Sequence, residues 1–197
     1  MNHTKTPLAP VRAVKPKGWK LAWSTVAQNR LWVLLLTVLG SASSVVYPHP
    51  PLVSFATVAG TTLKPTQAVK AISIIWLVNQ IWGYTLRNYP QTTDSFVWGL
   101  IMGLGTLLVT LLATIKPRFS RERMGGHFLW LGTALIAGFV LFESLILLFG
   151  TLLGNEHSIT LSILAHLFLK EMIWTISLAL GHLVWVRCVG STKFLSN

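Results

Sequence analysis

The chain has 197 residues, of which 52% are hydrophobic and 11% charged. Soluble domains carry about 25% charged residues, so this composition excludes a soluble fold and leaves no room for a separate soluble domain. The net charge of +11 comes from bases that flank apolar segments. That pattern fits membrane topology, and no basic–aromatic stripe or motif points to nucleic acid. A single cysteine, Cys188, excludes an intrachain disulfide and any multi-cysteine metal site.

The expected fold class is all-α, a polytopic helical membrane bundle. Residues 1–17 read as a disordered basic arm, 18–189 as one transmembrane helical domain and 190–197 as a short cytoplasmic tail. Within the first part, Gly18–Arg30 carries Trp19 and Trp23. It reads as an interfacial helix on the cytoplasmic face or as a downward extension of the first span. A basic arm followed by Leu31–Leu39 and Ser41-Ala42-Ser43 also has the pattern of a signal peptide, whose removal would leave five spans.

Apolar runs then follow at Leu31–Tyr47, Thr66–Leu86, Phe96–Ile115, His127–Gly150 and Ser158–Val186. A shorter run, Leu52–Leu63, comes after the break Pro48-His49-Pro50-Pro51. If the short run crosses, there are six transmembrane spans with both termini cytoplasmic. Lys5, Arg12, Lys15, Lys17, Lys20 and Arg30 then share the cytoplasmic side with Lys64, Lys70, Lys116, Arg118, Arg121, Arg123, Arg187 and Lys193. Arg87 stands alone outside. If the short run does not cross, the bases divide almost evenly. The positive-inside rule therefore selects six. Twelve helical residues rise only about 18 Å, against a hydrocarbon core of roughly 30 Å. The Pro-rich lead-in adds extended length, so the second span is expected to be short and Pro-broken. Such a break reads as a tight corner at the outer surface, or as the irregular backbone that lines transporter binding sites.

The third span has a polar stripe. Trp76, Asn79, Gln80, Gly83, Tyr84 and Arg87 fall at offsets 0, 3, 4, 7, 8 and 11, one face of a helix. An aromatic–amide wall can line a polar ligand cavity, and it can equally join helices by hydrogen bonds. In the fourth span Gly99, Gly103, Thr106 and Thr110 make a small-residue packing face.

The fifth span carries one ionisable group, Glu143, on a face with Gly132, Ile136 and Phe139. Its partner must come from another helix, and Lys170 and Arg87 are the candidates. The sixth span holds His166, Lys170, Glu171 and His182. Charges at this depth are costly and mark protein-facing or wet surfaces. Lys170 and Glu171 point about 100° apart on a helix and need not share a partner. A Glu143–Lys170 contact is the first expected pairing, because Gly154-Asn155-Glu156-His157 makes a short turn between antiparallel neighbours. Neither His-x-x-x-His nor His-Glu-x-x-His is present, so no metal site is assigned to His49, His166 or His182. The loop Lys116–Arg123 is a dense basic patch suited to anionic lipid headgroups.

The candidate ligand-binding residues are therefore Trp76, Asn79, Gln80, Tyr84, Glu143, Lys170 and Glu171. No catalytic residue is assigned, since no nucleophile–base pair or metal triad is present, and an enzyme is not expected. The sequence names no cofactor. Expected partners are the lipid bilayer, other membrane-protein subunits and a small-molecule or ion ligand. In size and span count the chain resembles the membrane-embedded substrate-binding subunits of energy-coupling-factor vitamin transporters. That resemblance is one of architecture, and it implies a small solute-binding or transport subunit, multi-pass in a bacterial plasma membrane. The alternative is an accessory or structural subunit of a larger respiratory or photosynthetic membrane complex, suited by nine tryptophans and the glycine face.

Overall fold

The shortest apolar run becomes the most enclosed element. The computed structural model describes residues 23–153 and 160–194, with backbone alone for 189–194. Every regular element among them is a helix: α1 (Arg30–Val46), α2 (Leu52–Thr62), α3 (Pro65–Thr85), α4 (Thr93–Ala113), α5 (Arg118–Glu122), α6 (Met124–Leu152) and α7 (Leu161–Phe194). The arm 1–17, Trp19, the turn at 154–157 and the tail end 195–197 lie outside the described residues.

Local chemistry sets the boundaries. The Asn29 side chain accepts the Leu31 N–H at 2.8 Å and caps α1. A helical turn at 23–26 precedes it and is separated from α1 by the turn at Ala27–Asn29, so this stretch does not extend α1 downward. Pro65 opens α3 at a position where its missing N–H costs nothing. Asn88, with φ 53°, ends α3 in the left-handed region and lets the Tyr89 N–H reach the Gly83 carbonyl at 3.1 Å. Thr92 caps α4, and Asp94 sits in its first turn, where a negative charge is favoured.

Contacts at the two ends of the bundle fix the helix directions. At one end, which holds Lys64, Lys116, Arg118, Arg121 and Arg123, Trp32 Nε1 donates to Thr62 Oγ1 at 3.1 Å. There Lys116 Nζ also donates to the Leu63 carbonyl, and the rings of His127 and His182 lie 5.5 Å apart. At the other end Arg87 donates to the carbonyls of Tyr47 (2.7 Å) and Ser44 (2.6 Å). Tyr89 Oη donates there to the Pro48 carbonyl at 3.2 Å. Hence α1, α3 and α6 run one way, and α2, α4 and α7 run the other.

All eleven residues of α2 are buried. It packs against α3, α4, α6 and α7, and more lightly against α1. Phe55, Val58, Ala59 and Leu63 form the middle of the core with Leu36, Ile72, Ile75 and Val109. Two glycines allow this closeness. A Cβ on Gly60 would stand 2.8 Å from the Thr110 carbonyl of α4, and one on Gly138 of α6 would stand 2.7 Å from Val109. The last two long helices run antiparallel and touch, as expected, but only lightly. α2 occupies the space beside both, and they meet mainly through side chains, Phe139 on Phe168 (5.1 Å) and His127 on His182.

Three helices are long and apolar enough to cross a membrane: α4, α6 and α7 from Leu161 to Cys188. α3 matches α4 at 21 residues but carries Lys70, Asn79 and Gln80. Large apolar side chains such as Leu100, Leu129 and Val184 are more than half exposed on the outer surface. Water would not tolerate so continuous an apolar exterior. An all-helical bundle of this kind is compatible with an integral membrane protein.

Candidate functional site

The seven candidate residues fall into two separate groups. Around the start of α2 lie Lys170, Glu171 and Glu143. Along the α3–α4 contact lie Trp76, Gln80 and Tyr84, while Asn79 turns inward and is fully buried.

The first group is built on the irregular lead-in to α2. Pro51 is the N-cap of α2 and supplies no side-chain cap, so the first N–H groups of the helix need partners from elsewhere. Glu171 provides one. Its carboxylate accepts the Ser54 N–H at 2.8 Å, and the Ser54 hydroxyl lies against the same carboxylate oxygen and 2.7 Å from the Glu171 carbonyl. A carboxylate also complements the positive end of the helix macrodipole. Glu171 is 6% exposed, so this contact is made away from bulk water.

Lys170 does not form the expected ion pair with Glu143. Its ammonium donates to the His49 carbonyl at 2.9 Å, in the corner that leads into α2. Its charge still bears on both Glu143 and Glu171. Glu143 is half-buried on α6 and has no side-chain hydrogen bond among the described residues. Arg87, the other candidate base, instead closes the exposed carbonyls at the end of α1.

The second group binds helix to helix. Trp76 Nε1 donates to the Gly99 carbonyl at 2.8 Å, and its indole fills the hollow at Gly103, where a Cβ would approach to 2.6 Å. Gln80 lies against Gly99. Tyr84 meets Ser95 Oγ at 3.2 Å and stacks on Phe96 at 4.7 Å. The glycine face of α4 is thus filled by α3 of the same chain. Shallow grooves of about 420 and 540 Å3 run along the outside of this contact, lined by Trp76, Leu100, Leu104 and Gly103, and by Gln80, Tyr84 and Phe96.

The opposite end of α2 mirrors its beginning. Lys116, itself at φ 43°, reaches the Leu63 carbonyl beyond the last turn of α2 and lies 5.4 Å from the Trp23 ring centre. Burial pushes this ammonium down to about 8, with help from Arg121. His127 and His182 face each other beside it, and Trp32 packs on His182 at 5.2 Å. Sequence reading did not single out His127, Ser54 or Lys116 as site residues. Their partners lie on other helices, and no spacing rule within one helix reveals them. Among the described residues no group of three or more His, Cys, Asp or Glu side chains is placed to hold a metal.

Comparison with protein-family models, with curated proteins and with solved structures returned no match.

Proposed function

We propose that the chain is a six-span membrane subunit that binds or transports a small polar solute, with its site at the entrance to α2. The observation that carries this reading is that Lys170 and Glu171 bond to the broken beginning of a fully buried half-length helix, with Glu143 within their electrostatic reach. Irregular backbone and charge at this depth are characteristic of solute sites in transporters. Lys170 and the half-buried Glu143 carboxylate offer opposite charges to one ligand, which favours a solute with both acidic and basic groups, or a cation taken by Glu143. The direction of the helices supports six crossings, since α2 with its lead-in joins the two ends of the bundle. The bases Lys64, Lys116, Arg118, Arg121 and Arg123 then face the cytoplasm, as the positive-inside rule asks. A bacterial plasma membrane is the proposed location, and a role in binding is proposed in preference to catalysis.

A second reading, an accessory subunit of a larger membrane assembly, is favoured by the α3–α4 contact. There the stripe's polar side chains are used as interhelical joints. Mass spectrometry of the gently solubilised protein separates the two. The transport reading expects a retained small molecule whose binding raises thermal stability, and Glu143→Gln should abolish that rise while the protein stays folded. Large partners in fixed ratio, with no small molecule, would sink it.

A further inference from the structure

A file of hydroxyl, carboxyl and imidazole groups follows α2 from one end of the bundle toward the other. On α7, Glu171, Thr175 and His182 lie four and seven residues apart and share the buried face. On α2, Ser54, Thr57 and Thr61 lie three and four apart. Glu171 contacts Ser54 directly. Thr57 Oγ1 lies toward α6, 3.7 Å from where a Cβ on Gly138 would stand. His182 meets His127 of α6 at the basic end.

Three atoms of this file, Thr57 Oγ1, Thr175 Oγ1 and His182 Nε2, are buried and have no hydrogen-bond partner among the described residues. An unpaired polar group in an apolar interior is destabilising, and valine would fill either threonine site at nearly the same volume without that penalty. Packing alone therefore does not account for these groups. Each of them can both accept and donate a proton.

We propose that this file is a proton relay between the two ends of the bundle, an inference that deepens the transport reading by naming the ion. A proton from the Arg87 end binds the Glu171 carboxylate. It moves on through the hydroxyls of Ser54, Thr57 and Thr175, with water between them, each group accepting one proton as it releases another. The His182–His127 pair takes it up and hands it to the basic end, and every group finishes as it began. The charged and titratable groups that face the two terminal carriers are few. Glu171 is faced by Lys170 on its own helix and Glu143 of α6, and the His182–His127 pair by Lys116 from the loop after α4.

The test is proton flux in vesicles of phosphatidylcholine and phosphatidylglycerol carrying the full chain, driven by a potassium gradient with valinomycin and read by an internal pH dye. The full chain should acidify or alkalinise the lumen faster than protein-free vesicles do. Thr175→Val and Thr57→Val, which keep volume, should each slow it by about tenfold, while Thr175→Ser should retain it. Flux no faster than in protein-free vesicles overturns the relay, and so does unchanged flux in the correctly folded Thr57→Val/Thr175→Val double variant. A chain that retains a solute but moves no protons loses the relay alone. A chain that conducts protons but holds no solute loses the solute site alone.

Discussion

Glu171 on α7 accepts the main-chain N–H of Ser54 on α2 at 2.8 Å, across 117 residues of sequence. At the far end of the same helix Lys116 donates to the Leu63 carbonyl, across 53 residues. A short helix that begins and ends inside a bundle exposes backbone N–H groups at one end and carbonyls at the other. Here a carboxylate meets the first and an ammonium the second, each with the sign the macrodipole favours. That arrangement lets a helix of eleven residues occupy the centre.

Glu171→Ala should destabilise the folded protein strongly, by about 3 kcal/mol, because it strips a buried N–H of its acceptor and leaves a cavity. Glu171→Gln keeps an oxygen for the Ser54 N–H and should cost about 1–2 kcal/mol. Thermal unfolding in detergent, followed by circular dichroism, measures both. Equal losses would mean that the Ser54 contact contributes nothing.

Lys116 gives a pH dependence with a definite sign. Its folded value is near 8, below the ordinary lysine value of 10.5, because burial disfavours the charge. Between those limits the unfolded chain binds more protons than the folded one, so stability rises as pH increases from about 8 toward 10.5. The full rise is about 3 kcal/mol at 1.36 kcal/mol per unit. Lys116→Met should flatten the dependence in that window. A wild-type midpoint that falls between pH 8 and 10 while the variant's holds steady would refute the assignment.

Gly60 tests how closely α2 must approach α4. A Cβ there meets the Thr110 carbonyl and the Ala113 side chain, and a carbonyl within a helix cannot move aside cheaply. Gly60→Ala should therefore cost about 1–3 kcal/mol, despite the better helix propensity of alanine. Gly132→Ala, where no atom lies within 4 Å, should be neutral or slightly stabilising. Paired melting curves of the two variants check this.

The sequence located the helices because apolar runs are long and punctuated. Leu52–Leu63 becomes α2 (Leu52–Thr62), and Thr66–Leu86 becomes α3 (Pro65–Thr85). It did not reveal which helix is central. Lipid and protein interior are equally apolar, so hydropathy cannot distinguish an outward-facing Leu100 from a buried Val58. The small residues of α2, Ala56, Ala59 and Gly60, are buried in that centre, and their spacing was not read as a packing face. At the site, the angular separation of Lys170 and Glu171 meant that they need not share a partner, and in the structure they do not. It did not name the partners, because both, His49 and Ser54, lie more than a hundred residues away in the chain. The Glu143–Lys170 pairing failed for the same reason: matching depth on two helices does not say which way a flexible lysine turns.

Six crossings make a topological prediction that one chemical experiment decides. The chain's single cysteine is Cys188, so Cys188→Ser gives a background free of thiols. Thr66 begins α3 beside the basic end, and Asn88 ends it beside the corner that Arg87 and Tyr89 close. In intact cells, a membrane-impermeant maleimide should label Asn88→Cys and leave Thr66→Cys unlabelled until the membrane is opened. Labelling of Thr66→Cys from outside would place the basic end outside, against the positive-inside rule, and would overturn the proposed orientation. Labelling of both from one side would mean that α3 does not cross. The bundle would then need a different relation to the bilayer, with the half-length α2 closed off from lipid by its neighbours at one surface.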